Sequence, residues 1–476
     1  MSKAYISTAI PYVNGSPHIG FALEVIQADV LARYYRILGF NTFFLTGTDE
    51  NAIKNAQKAN ELGIDIKQMI DDYAQQFYRL KSVLNLSFDN FIRTSSKQHH
   101  LASQKFWQLC QADIYKKKYA GLYCSGCEAF YKDGELADNI CPDHKKQLEV
   151  IEEENYFFAL SKYQKQLFEI ISQDKIKIIP EYRKKEVLNF IAKGLEDFSI
   201  SRPAERTYNW GIDVPGDPTQ KIYVWFDALI NYISGLGFHS DSKQYQTFWL
   251  NNNNKTHFIG KDIIKFHLIY WPAMLLSAGL PLPNKVFVHG FLTINHQKIS
   301  KTLGNVVSPY DLVDKYGVDA VRYYFLREIP TADDGDFSFQ RFEEIYKSEL
   351  VNELGNLVVR LTAMAGKDNL AVEQTQKPDF VLNDVDLGSL IENYNYFQAL
   401  AEINRFVKKL NKTIDDFKPW TKTSDQRRSF LIARMSDLFK LGYILSPFLP
   451  ETADIVIKSV SGRIKKAPVL FPNITD

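Results

Sequence analysis

The sequence predicts an α/β fold, a Rossmann-like parallel sheet split by an insertion and followed by an all-α helical bundle. Three observations predict it. Residues 4–48 read as strand, helix and strand; the strand and helix pattern lapses from about Lys116 to Val214 and then resumes; and beyond Phe342 the chain is almost entirely helical in period. A strand–helix–strand unit implies a parallel sheet, and such sheets bind ligands at the carboxyl ends of their strands. With 476 residues and 45% hydrophobic content, the chain can bury the cores of several domains.

The first strand is Ala4–Ile10, rich in β-formers and closed by the turn Pro11-Tyr12-Val13-Asn14-Gly15. Ser16 reads as an N-cap with Pro17 at the first helical position. Leu23, Ile26, Val30, Tyr34 and Ile37 then recur at helical spacing, and Gly39 stops the helix. Asn41–Thr46 is the next strand, running into Gly47-Thr48-Asp49, so His18 and Asp49 both fall at strand ends. Ile222–Phe226, Thr256–Ile259 and Lys285–His289 read as later strands, and Glu343–Ala365 and Tyr394–Phe417 as helices. The expected domains are 1–115 and 222–342 as two halves of a catalytic domain, 116–221 as a connective insertion, and 343–476 as the helical domain.

The net charge is +1, so a nucleic-acid partner needs a local basic surface, and residues 405–466 supply one with 14 Lys or Arg against 6 Asp or Glu. The same run also suits a solvated helix face. Four cysteines do not make a secreted disulfide framework, and Met1 to Gly15 has no basic, apolar leader pattern. The longest apolar stretch, Leu268–Leu282, contains Pro272 and Pro281 and is too short to span a bilayer. A cytoplasmic protein without membrane contact is expected.

Cys124-x2-Cys127 and Cys141-x2-His144 stand thirteen residues apart, a Cys3His set suited to tetrahedral Zn²⁺. All four positions are filled, so the expected metal is one structural zinc per chain. Cys110 lies outside the set, in a helical stretch, and reads as a core thiol. His18 at a helix start serves either to bond a backbone carbonyl or to bind phosphate. Lys298 and Lys301 lie on a loop that Gly304 and Ser308-Pro309 mark as flexible, and are either solvated or placed over phosphates.

Pro11-Tyr12-x-Asn14-Gly15-x-Pro17-His18-Ile19-Gly20 resembles the first signature of class I aminoacyl-tRNA synthetases, and Lys298-Ile299-Ser300-Lys301-Thr302 resembles the second. Within that class the chain is similar to the methionyl-tRNA synthetase family. The segments that carry this are Thr46–Glu50, Trp225–Tyr232 and Phe258–His267, with the single Cys3His knuckle in the insertion. The chain is too short for the editing insertion of the isoleucyl, leucyl and valyl enzymes, and it lacks the zinc-ligand cysteine that cysteinyl enzymes place before the first signature.

The resemblance implies activation of L-methionine by ATP with Mg²⁺, then transfer to the 3′ end of tRNA(Met). It implies an ATP site of Pro17, His18, Gly20, Gly260, Asp262, Lys298, Ser300 and Lys301, in which His18, Lys298 and Lys301 act on the phosphates. It implies a methionine pocket of Ala9, Ile10, Tyr12, Asp49, Trp225, Ala228, Leu229, Tyr232, Ile263 and His267, with Asp49 pairing the ammonium. The ionised substrate carboxylate attacks the α-phosphate without a general base, so alignment and charge stabilisation are what the residues must supply. Aromatic and aliphatic walls suit a thioether. They discriminate weakly between near-isosteres, so some activation of homocysteine is expected. Asn356, Arg360 and Trp420 match the positions that read the anticodon, through base-edge hydrogen bonds and stacking.

Two positions depart from the family pattern. Phe21 stands where the first signature usually ends in a second histidine, and Asn51-Ala52 where many members have His-Gly. Phe21 cannot donate a hydrogen bond, which keeps a catalytically silent, tRNA-binding relative as the alternative. The chain stops just after Pro468–Pro472, where the shared core of the family ends, so a monomer is expected.

Overall fold

The computed structural model describes residues 1–124, 129–131, 137–141, 147–298, 306–374 and 377–474. They form two compact units: residues 1–16, 42–79 and 88–288, and residues 17–41, 80–87 and 289–476.

The first unit is built on a six-stranded sheet. Its strands are β1 (Lys3–Thr8), β2 (Asn41–Thr48), β3 (Asn90–Arg93), β4 (Lys177–Ile179), β5 (Lys255–Gly260) and β6 (Lys285–His289), in the spatial order β3-β2-β1-β5-β6-β4. The β2/β3, β1/β5 and β6/β4 pairs are parallel. All of β5 and most of β1 and β2 are buried, as near-continuous apolar strands covered on both faces should be. Below them one core gathers Tyr5, Phe43, Leu45, Phe106, Trp249 and Trp271. Cys110 lies in that core; burial pushes its thiol up to about 12, so it is an inert packing group.

Two expectations for this unit change. The stretch expected to interrupt the sheet returns a strand to it, since β4 pairs with β6 at its edge. Around β4 the stretch makes a separate antiparallel sheet, in which Ile114–Cys124 pairs with Ala129–Tyr131 and Glu149–Phe158, and the latter with Phe198–Ser199. The strand expected at Ile222–Phe226 ends at Ile222, and Val224–Leu229 is a short helix capped by Tyr223. Asp227 is fully buried here. A buried carboxylate needs donors, and the helical turn aims it inward at them while Trp225 points elsewhere.

The second unit holds α1 (Ile19–Ile37) and the helical C-terminal region, with Asn356–Lys367, Tyr396–Phe417, Ser424–Leu445 and Pro450–Ser459 as its main regular helices. The N-cap of α1 is His18, not Ser16. His18 is extended and its side chain accepts from Gly20 N, so the helix begins at Ile19 and leaves Pro17 outside it. Asp29 on α1 is fully buried against Arg322 at 2.9 Å, and Arg322 also donates to the carbonyls of Phe448, Pro447 and Leu84. Burial pushes the Asp29 carboxyl up, but Arg322, Arg33 and the Ser87 hydroxyl outweigh it and hold the group below the usual carboxylate range.

Candidate active site

At the end of β2 the backbone N–H of Asp49 donates to Pro11 O at 2.8 Å, and its carbonyl accepts from Asn55 Nδ2 at 3.2 Å. Tyr12 and Asp49 form a parallel bridge. The neighbouring Glu50 carboxylate accepts from Thr48 Oγ1, Arg93 Nε and Ser95 Oγ, and Trp210 Nε1 donates to Glu50 O at 2.8 Å. Asp49 is buried. The segment that carries it is thus tied down on both sides.

Across the same unit, Tyr232 and His267 are buried together. His267 Nδ1 lies 2.9 Å from Ile263 O, which can only accept, so the ring proton sits on Nδ1 and Nε2 accepts from the Tyr232 hydroxyl at 2.7 Å. Burial drives His267 down to about 4, so the imidazole is neutral at pH 7. His257 stacks on Tyr232 at 4.0 Å and its Nδ1 is 2.6 Å from Ser7 Oγ. Burial first, then His267 and Lys255, push His257 well below the ordinary range. Burial also lowers Lys255 to about 8. His267 lies in the π-helical turn Phe266–Tyr270, a local expansion common at functional sites.

Trp225 lies parallel to Phe266 with ring centroids 3.7 Å apart. Tyr12 and Trp225 both pack on the small cluster of Ala52, Tyr223 and Val224. Ala228 and Leu229 are buried, while Ala9, Ile10 and Ile263 are half-buried against the main core. Gly260 ends β5 in extended conformation, and Asp262 stands exposed in the turn that follows. The residues expected in the methionine pocket, and the two of this unit expected at the adenosine, therefore lie at carboxyl ends of strands or on the helices that follow them. His257, Ser7, Asp227 and Phe266 join these groups although the sequence reading gave them no role, and Asn51, noted there only as a departure from the family pattern, joins them too. His257 looked like one more residue of a strand.

In the second unit, His18 is half-buried and its Nδ1 accepts from Gly20 N at 3.1 Å. This fixes the ring proton on Nε2, the nitrogen that a phosphate oxygen needs as donor. Ile19 N donates to Val307 O at 3.2 Å. Pro17 is buried, and Gly20 and Phe21 are half-buried. Lys298 ends a short strand, where it pairs with Thr293. Ser300 and Lys301 lie outside the described residues. Arg360 sits over the Trp420 ring, its guanidinium carbon 5.5 Å from the centroid, and bonds Asp415 at 2.8 Å. Trp420 is 57% exposed, too open for a core tryptophan, and Asn356 is exposed one helical turn from Arg360. Of the four expected zinc ligands, Cys124 and Cys141 are buried in one small cluster with Leu122 and Leu148; Cys127 and His144 lie outside the described residues.

A parallel sheet, a histidine capping the first helix and a helical C-terminal region fit the architecture of class I aminoacyl-tRNA synthetases. The family model described as tRNA synthetases class I (M) matches residues 4–149 and 134–362. The chain is 40% identical over 467 residues to a methionine–tRNA ligase of Fusobacterium nucleatum subsp. nucleatum, covering 94% of this chain and 73% of the relative. It is 40% identical over 479 residues to that of Thermotoga maritima, covering 96% and 75%. Among solved structures, Mycobacterium tuberculosis methionyl-tRNA synthetase bound by methionyl-adenylate superposes with a TM-score of 0.88 at 34% identity, covering 99% of each chain. The chain belongs to the methionyl-tRNA synthetase family.

Proposed function

We propose that this chain activates L-methionine with ATP to methionyl-adenylate and transfers the methionyl group to the 3′ end of tRNA(Met), elongator and initiator. The observation that carries this is the 40% identity along 94% of the chain to a methionine–tRNA ligase.

In this reading Asp49 pairs the substrate ammonium while Tyr12, Trp225, Tyr232 and His267, with Ala9, Ile10, Ala228, Leu229 and Ile263, surround the thioether. Gly260 allows the adenosine to approach closely and Asp262 accepts from its ribose hydroxyls. Pro17 and Gly20 shape the turn at His18, whose Nε2 proton goes to a phosphate oxygen. Lys298, Ser300 and Lys301 serve the departing pyrophosphate, and Mg²⁺ enters with ATP. No proton need leave the attacking carboxylate, so these groups lower the barrier by alignment and by charge placed in advance. The neutral state of His267 supports the pocket assignment, since an imidazolium would disfavour an apolar thioether. Asn356, Arg360 and Trp420 read the anticodon, within the helical domain at 343–476. Cys124, Cys127, Cys141 and His144 hold one structural zinc; the burial of Cys124 and Cys141 in one cluster supports this.

The test is charging of unfractionated tRNA with each amino acid in turn. Methionine alone should be incorporated, into a tRNA with anticodon CAU. Charging with another amino acid, or none with methionine, would refute the assignment.

A further inference from the structure

Asn51 stands two residues beyond Asp49 and ties that segment to a buried polar network. Asn51 is buried, and both protons of its amide are used: Nδ2 donates to Thr94 O at 3.0 Å and to Asp227 Oδ2 at 2.7 Å. Asp227 Oδ1 accepts in turn from His99 Nε2 and from Ser103 Oγ at 3.2 Å, and His99 Nδ1 is 2.7 Å from Ser234 Oγ. Asp227, His99, Ser103 and Ser234 are all fully buried. Asp227 lies on the helix Val224–Leu229, two residues from Trp225 in sequence, and Thr94, whose carbonyl accepts from Asn51, places its Oγ1 3.5 Å from Asp49 Oδ1.

We propose that Asn51 is a positioning residue for methionine, which sets the distance between the Asp49 carboxylate and the Trp225 indole by fastening Asp227 to the end of β2. The inference rests on the reading that Asp49 and Trp225 hold the substrate. Three donors converge on Asp227, but only Asn51 comes from the segment that carries Asp49. His99 and Ser103 come from the helix Lys97–Leu109 and can hold the carboxylate in place of Asn51 without fixing its distance from Asp49. Losing Asn51 therefore loosens one wall of the pocket relative to the ammonium anchor and leaves Asp227 partly satisfied. A histidine at the same place would also carry an N–H for Asp227.

The experiment is steady-state ATP–pyrophosphate exchange for Asn51→Ala, Asn51→His and Trp225→Ala, with thermal unfolding of each. Asn51→Ala should raise the KM for methionine about tenfold and leave the KM for ATP within about twofold. Asn51→His should recover most of the loss. In a double-mutant cycle the Asn51→Ala and Asp227→Asn losses should fail to add. If Trp225→Ala raises the methionine KM and Asn51→Ala does not, the positioning role is wrong and the pocket stands. If Trp225→Ala has no effect, the pocket reading fails and this inference with it. Equal rises in both KM values with a lowered thermal midpoint would make Asn51 merely structural and overturn the proposal. Should Asn51→Ala not fold, Asn51→Ser, which removes the bridge but keeps one donor, takes its place under the same criteria.

Discussion

The Tyr232 hydroxyl donates to Nε2 of His267 at 2.7 Å, while Nδ1 of that ring donates to the Ile263 carbonyl at 2.9 Å. Both nitrogens of a buried, neutral imidazole are thus satisfied, and the phenol ring is held edge-on to it with ring centroids 5.6 Å apart. Tyr232→Phe removes the donor and leaves Nε2 buried without it, a loss of about 1–3 kcal/mol. The methionine KM in ATP–pyrophosphate exchange should rise about tenfold, with the ATP KM little changed.

Acid should weaken this region before carboxylates titrate. His267 is held down to about 4, from an ordinary value of 6.5, and His257 lies well below it, both chiefly through burial. Between those limits the unfolded chain binds more protons than the folded one. Stability from the neutral rings is therefore complete above pH 6.5 and is lost as the pH falls toward 4. Thermal midpoints should decline through that window, and His267→Gln should flatten the decline.

The inner strands of the sheet were the most legible part of the chain, because period-2 and period-3.6 patterns report neighbours in sequence. The strand Lys285–His289 was predicted residue for residue, and Asn41–Thr46 fell short only by Gly47 and Thr48. Trp225 and Phe226 were misread as strand because β-favouring aromatics outweighed Asp227, whose buried partners lie far away in sequence. The Asn51–Asp227 bond joins residues 176 apart, and no local pattern encodes such a pair. The pocket residues came from a resemblance to a family; composition and periodicity alone would have left Trp225 and Tyr232 as core aromatics.

Gly47 is confined by its neighbour strand, not by its backbone conformation. A Cβ there would lie 2.0 Å from Ile92 O and 2.6 Å from Ile92 Cγ2. Gly47→Ala must therefore part β2 from β3 just before Asp49. A destabilisation of about 1–3 kcal/mol is expected, seen as a lowered thermal midpoint, together with a raised methionine KM.

Arg360 lies over the exposed Trp420 ring, and the anticodon role proposed for the pair predicts that tRNA reading can be separated from chemistry. Trp420→Ala should raise the tRNA KM in aminoacylation by about tenfold or more, the scale of one lost base stack. ATP–pyrophosphate exchange, which needs no tRNA, should be unchanged. A fall in exchange would place Trp420 in the fold of the catalytic region instead.

The most direct measurement of the central claim is exchange of labelled pyrophosphate into ATP without tRNA, with methionine as the only amino acid added. Exchange should depend on methionine and be lost in His18→Ala, despite Phe21 in place of the second signature histidine. Absence of methionine-dependent exchange in a folded chain that still binds tRNA(Met) would contradict it, and would mark the chain as a silent, tRNA-binding relative.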